Sequence, residues 1–216
     1  MKNHSHCRNW HSTYHTAQKK FCLFSAACVF ALTAQAQIFN GSFENAFAGW
    51  TTTPGDFIIG SNPSEPIGTD GYSSADLGGG DIAGAVLSQT ISNFAHGGTY
   101  HLDYDSASNV GFTPPSPVTV WEVDILGDGQ LITSQTLSQT SVGPMSGSFG
   151  FIHRQMTFAV SSSVQNITIS FKDVTSNGGI EVDTALDQVI VTPVPEPGLF
   201  GLLTVGGLAW LRQRRN

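Results

Sequence analysis

Cysteine is absent from this chain after residue 28: Cys7, Cys22 and Cys28 are its only three. The long remainder can therefore hold neither a disulfide nor a thiolate metal site, and its stability must come from a core or from bound ions. Basic residues are nearly as scarce. Between Gln37 and Thr192, Arg154 and Lys172 stand against fifteen acidic residues, a net charge of −13. Two cations cannot neutralise a run of phosphates, which excludes DNA and RNA as partners. Such a surface favours solubility and can attract divalent cations, beside the plainer role of a solvated acidic face. Signatures of catalysis are missing as well. His96, His101 and His153 have no H-E-x-x-H, G-x-S-x-G or nucleophilic cysteine beside them, and Gly143 to Gly147 lacks the spacing of a nucleophile elbow. No catalytic residue is assigned.

Helical periodicity longer than two turns is also lacking between Gln37 and Thr192, whereas short alternating segments between Gly, Pro, Asn and Ser recur throughout. Ile167, Ile169 and Phe171 fall on one face of Val164 to Asp173, with Thr168, Ser170 and Lys172 on the other. Thr99 to Asp105 places Tyr100, Leu102 and Tyr104 inward and Asp103 and Asp105 outward as solvated acids, and Thr119 to Ile125 aligns Trp121, Val123 and Ile125. Further strands are expected at Ile38 to Glu44, Asp56 to Ile59, Ala85 to Ile91, Gln130 to Leu137, Ile152 to Val160 and Leu186 to Thr192. A hairpin turn is expected at Gly127-Asp128-Gly129. Nine strands with frequent turns predict an all-β, antiparallel sandwich.

Both ends of the chain have the composition of addresses. Lys19-Lys20 precedes an apolar run of about 14 residues that closes in Ala34-Gln35-Ala36, the pattern a signal peptidase cuts, which leaves Gln37 as the mature N-terminus. The His- and Cys-bearing leader before it is a poor place for a metal site if it is removed. At the other end, Gly198 to Leu211 would make a helix of about 21 Å against a hydrocarbon core of ~30 Å, a marginal transmembrane segment. Arg212, Arg214 and Arg215 behind it form a membrane-stop cluster that stays cytoplasmic. The expected division is 1–36 signal peptide, 37–192 sandwich and 193–216 tail.

Two resemblances follow from these residues. Val194-Pro195-Glu196-Pro197, a Gly- and Leu-rich apolar run and the terminal arginines together resemble the PEP-CTERM sorting signal of Gram-negative bacteria that make exopolysaccharide. The resemblance implies export through the inner membrane, transient insertion there, cutting near the Pro-Glu-Pro motif by an exosortase, and residence at the cell surface or in the extracellular matrix. A plain membrane anchor is the alternative. The segments "NGSFENAFAGW", "ADLGGGDIAGAVLSQTI", "GGTYHLDYD" and "ALDQVIV" look like landmarks of galactose-binding-like jelly rolls. That similarity implies a jelly roll with Trp50 in its core, and a structural calcium whose ligands would match Glu44 and Asp187; a solvated or backbone-bonded role for both carboxylates stands beside it.

Tyr72, Phe112 and Trp121 are the aromatic candidates for stacking on a sugar, although Trp121 alternates with Val123 and Ile125 and so belongs to the core. The sequence therefore points to an exported, non-enzymatic protein that can bind extracellular polysaccharide. A glycan-modifying enzyme and a calcium-linked structural matrix protein are the alternatives.

Overall fold

The computed structural model describes residues 37–59, 68–78, 84–92, 94, 97–110, 118–140, 150–175 and 182–194. The leader, the apolar tail and Phe112 lie outside them. The described residues form nine strands and no helix: β1 (Phe57–Ile59), β2 (Ser74–Leu77), β3 (Val86–Ile91), β4 (Gly98–Val110), β5 (Val118–Gly127), β6 (Gln130–Thr140), β7 (Ile152–Val160), β8 (Ile167–Asp173) and β9 (Val182–Pro193). Thus no helix among them is long and apolar enough to cross a membrane.

The strands make two antiparallel sheets, one ordered β1-β2-β9-β4-β7 and the other β3-β8-β5-β6, which is a jelly-roll sandwich. The alternation that marks the strands also places the core. Thr119, Trp121, Val123 and Ile125 of β5 and Ile167, Ile169 and Phe171 of β8 face Leu102 and Tyr104 of β4 and Leu186, Val189 and Val191 of β9, all buried. Trp121 is wholly buried, and its Nε1–H donates to the Tyr104 hydroxyl at 3.2 Å, so the ring's polar atom is satisfied inside the core. Burial pushes the Tyr104 phenol up to about 12. Between β5 and β6, Asp128 and Gly129 both take positive φ, 47° and 80°, the two-residue turn whose twist matches the strands it joins.

The segment from Ile38 to Glu44, expected as a strand, is a series of turns. Two non-glycine residues there, Asn40 and Phe43, and Ala46 just after it have φ near 50°, which no strand permits. Asn40 organises the turns: its Nδ2 donates to the Ala46 carbonyl at 2.7 Å, its Oδ1 accepts the Asn45 N–H, and its own carbonyl accepts Trp50 Nε1–H at 3.1 Å. Trp50 is buried as expected, 5.3 Å from Phe43 and 6.4 Å from Phe171 between ring centroids. The opening and closing motifs meet here, because the Val189 N–H donates to the Gly41 carbonyl at 3.0 Å. A Cβ on Gly41 would collide with the Val189 carbonyl oxygen.

Strand β2 was not expected. All four of its residues are buried, Ser74 and Asp76 as well as Ala75 and Leu77, and a four-residue run is too short for its pattern to single it out. Strand β9 begins earlier than expected and runs to Pro193, and the Val194 N–H still donates to the Thr99 carbonyl at 2.8 Å. The sandwich thus extends two residues beyond Thr192.

Gly41→Ala should destabilise the protein by about 2 kcal/mol or more, since a backbone carbonyl rather than a flexible side chain occupies the space. Urea denaturation would show this as a lower midpoint at unchanged slope, and an unchanged midpoint would refute the close approach.

Candidate functional site: a carboxylate cluster under a glycine-flanked loop

The outer face of the five-stranded sheet carries Asp103 and Asp105 on β4, His153 and Gln155 on β7, and Asp187 on β9. A bulge between β4 and β9 sets their positions. Asp103 pairs with Ile190 but Asp105 pairs with Asp187, and the extra residue, Gln188, takes a φ of 50°. This kink puts Asp187 beside Asp105 and leaves Val189 to bond Gly41 of the opening loop.

The segment Gly68 to Ser73 lies over these acids. Thr69 donates its N–H to Asp187 Oδ2 at 2.5 Å, and its hydroxyl lies 2.7 Å from Asp105 Oδ2 and 3.1 Å from Asp187 Oδ2. Glu44 reaches in from the opening loop, its Oε1 accepting the N–H groups of Tyr72 and Ser73 at 2.7 Å each. Glycine is required on both sides of Thr69-Asp70. A Cβ on Gly68 would stand 2.9 Å from Asp187 Oδ2, and one on Gly71 would collide with the Glu44 carboxylate. Asp187 is wholly buried and Asp105 is 9% exposed. Asp105 is therefore not the solvated acid that strand alternation suggests: the loop covers it, and β4 from Asp105 to Ser108 is buried on both faces.

The electrostatics of the cluster are unfavourable as it stands. Burial, aided by the negative charge of Asp70, pushes the Asp187 carboxyl up to about 7. Asp70 is itself raised, chiefly by burial, with Glu44 and Asp105 adding to the shift. The single proton of the Thr69 hydroxyl cannot serve Asp105 and Asp187 at once, so this cluster is short of positive charge. Its donors are all hard oxygens, the chemistry that suits calcium. No three His, Cys, Asp or Glu side chains among the described residues are grouped closely enough to hold a metal ion as they stand.

His153 flanks the cluster, Nδ1 at 3.0 Å from Asp105 Oδ1 and Nε2 at 3.5 Å from Asp103 Oδ1, with its side chain 64% exposed. Gln155 Nε2–H donates to Asp103 Oδ1 at 2.7 Å. Both imidazole nitrogens thus face carboxylates, and no hydroxyl or thiol among the described residues bonds to His153.

Glu44 and Asp187, far apart in sequence, are brought to one short loop, while Thr69, Asp70 and Asp105 join them without having been anticipated. "GTDGY", an acid between glycines, was the available signal for the loop. Tyr72 is 73% exposed on that loop, whereas Trp121 is core. Gln37 is exposed, and Val194 is paired to Thr99. Ala34, Ala36, Pro195, Glu196, Pro197, Arg212, Arg214 and Arg215 lie outside the described residues.

No protein-family model matches the chain, and no curated protein matches its sequence. Solved structures do share its fold. The carbohydrate-binding module TmCBM61, solved with β-1,4-galactotriose, superposes with a TM-score of 0.51 at 12% identity, covering 75% of this chain and 100% of that one. The Stig cyclase Fisc from Fischerella sp. TAU gives a TM-score of 0.52 at 16% identity over 75% of this chain and 99% of that one. The jelly roll is thus shared with a sugar-binding module and with an enzyme.

An acid whose carboxyl is raised on folding binds more protons folded than unfolded between the two values, so its contribution falls as pH rises. In metal-free protein, Asp187 should therefore lower stability progressively from about pH 4 to about pH 7. Melting temperatures of wild type and Asp187→Asn across this window should diverge, the variant losing less as pH rises. Parallel curves would show that Asp187 is not raised.

Proposed function

We propose that the sandwich is a non-catalytic glycan-binding module, delivered to the cell surface or extracellular matrix and braced by calcium at the carboxylate cluster. The observation that carries the glycan part is Tyr72: an exposed ring on a loop whose backbone is clamped by Glu44 and Asp187 and whose Thr69 hydroxyl bonds Asp105, with Asp103 and Gln155 providing polar groups on the same sheet face. A ring held in advance loses little entropy when a sugar stacks on it, and nearby carboxylates and amides are suited to hydroxyls. The sugar held by TmCBM61 supports this choice within the same fold.

Glu44, Asp70, Asp105 and Asp187, with the Thr69 oxygen, are the groups that would draw together around calcium, and the ion would supply the positive charge they lack. In that role these residues fix the Gly68–Ser73 loop and so aim Tyr72. Delivery rests on the signal-peptide pattern up to Gln37 and on the Pro-Glu-Pro tail. The last described pairing, at Val194, stands immediately before Pro195, so a cut by an exosortase within the motif would spare the sandwich.

Isothermal titration with galacto-oligosaccharides and the producing cell's own exopolysaccharide should show saturable binding that Tyr72→Ala weakens about tenfold or more without altering the melting temperature. Wild-type binding at the level of an unrelated protein would sink the glycan assignment. Chelation by EDTA should lower the melting temperature by several degrees, and calcium rather than magnesium should restore it; indifference to both would remove the calcium brace. Mass spectrometry of protein recovered outside the cells should give a chain starting at Gln37 and ending between Val194 and Pro197. An intact Asn216 on protein held in the inner membrane would make the tail an anchor.

A further inference from the structure

Strand β6 forms one edge of the four-stranded sheet, and among the described residues it pairs with β5 alone. An open edge is a row of unmet backbone donors and acceptors, which folded proteins blunt with charge, proline, brevity, a bulge or a covering segment. The other edges have such devices. Strand β1 is three residues long, and β7 carries His153 and Arg154. Strand β3 is covered: Ser88 and Thr51 exchange backbone hydrogen bonds at 2.8 and 2.9 Å, and Val86 bonds Thr53 through both its carbonyl and its N–H. By contrast, Gln130 to Thr140 of β6 contains no charged residue, His, Pro or Gly. Its one irregularity, a bulge opposite Ile125 and Leu126, lies at the turn and leaves Thr133 to Thr140 in unbroken register.

The two edges of this sheet share a tetrapeptide, Leu87-Ser88-Gln89-Thr90 on β3 and Leu137-Ser138-Gln139-Thr140 on β6. On β3 the serine turns its N–H and C=O away from β8, and Thr51 meets them. The serine of β6 is oriented in the same way. Ser138 faces Val120, which spends its N–H on Thr175 Oγ1 and its carbonyl on the Val174 N–H, each at 3.0 Å and both on the side away from β6. Facing residues of an antiparallel pair either exchange both bonds or turn both sets away, so Ser138 presents its N–H and C=O outward. With a period of two, Ser134 and Thr136 do the same. No described residue meets these backbone groups, and the side chains of all three are exposed. Gln135 opposite the buried Val123 is exposed as well, so this stretch of β6 overhangs the other sheet.

We infer that β6 is a docking edge for a second copy of this chain, the two β6 strands pairing antiparallel about a two-fold axis at Thr136. That axis sets Thr136 opposite itself and Ser134 opposite Ser138 on either side, so the outward groups meet in about six hydrogen bonds and the two four-stranded sheets become one. Threonine and serine hydroxyls then stand side by side on the outer face. Charge and symmetry select the occupant. A basic partner would be drawn to the acids elsewhere on a domain of net charge −13, whereas β6 offers about 27 Å of uncharged ladder on which two such domains can meet without like charges opposed. The association does not depend on the glycan-binding function proposed above; under that function, the pair carries two Tyr72 loops and gains avidity for a polymer.

The test is sedimentation equilibrium of the full chain from about 10 µM to about 1 mM, a range suited to an interface as small as one strand edge. Reductant keeps Cys7, Cys22 and Cys28 from cross-linking. A monomer–dimer equilibrium is expected. Thr136→Lys and Thr136→Glu each set like charges opposite one another on the axis and should weaken the dimer about tenfold or more. The melting temperature of dilute protein should not change, because the Thr136 side chain is exposed. Mixing the two variants should restore a dimer, since opposite charges then meet across the axis. A chain still monomeric at about 1 mM would leave the edge to a foreign strand and overturn self-pairing. Association undiminished in both variants would assign it to another surface, such as the apolar tail, and overturn the inference equally. Loss in both variants without recovery on mixing would overturn the two-fold register.

Discussion

A single hydrogen bond, from the Val189 N–H to the Gly41 carbonyl, joins the beginning of the sandwich to its end, and much of the outer layer depends on the geometry that permits it. The bond forms because the bulge at Gln188 turns Val189 away from β4, and because Gly41 has no side chain to hold the two backbones apart. Once it is made, Phe43 falls into the core against Trp50, and Glu44 is delivered to the loop at Tyr72 and Ser73. The same bulge puts Asp187 next to Asp105. One irregular residue therefore sets both the closure of the fold and the assembly of the acid cluster.

Those elements whose two faces meet different surroundings were legible in the sequence. Strands β5 and β8 alternate cleanly because one face is core and the other meets solvent. Where both faces are covered, as in β2 and in Asp105 to Ser108 of β4, the polar–apolar pattern does not report burial. The opening segment misled for a related reason: Ile38 and Phe43 are buried and look strand-like in composition, yet their burial comes from turns that Asn40 ties together. Of the acid cluster, Glu44 and Asp187 were visible only through resemblance to a motif. Asp105 was assigned to solvent, since nothing local reveals a bulge or a loop folded over a strand.

Charge is distributed with a similar economy. Asp105 and Asp187 lie under the loop that carries Asp70, with Glu44 bonded to the same loop, and burial raises the carboxyls of Asp70 and Asp187. The half-buried guanidinium of Arg154 lies between the sheets among neutral partners. Folding has thus kept the acid cluster and the inward-facing guanidinium apart instead of pairing them, which leaves two regions of opposite sign unsatisfied by the protein itself. Pairing them would have been the simpler route to stability, and their separation is consistent with a carboxylate cluster that draws its counter-charge from outside.

Strand β9 lies inside the five-stranded sheet, hydrogen-bonded to β2 on one side and β4 on the other, and it leads directly to Val194 and the tail. Any force applied through that tail enters along the axis of an interior strand. The load then falls in shear on many ladder hydrogen bonds together, instead of peeling an edge strand one bond at a time. A sandwich with this exit is mechanically suited to resist traction at its C-terminal end.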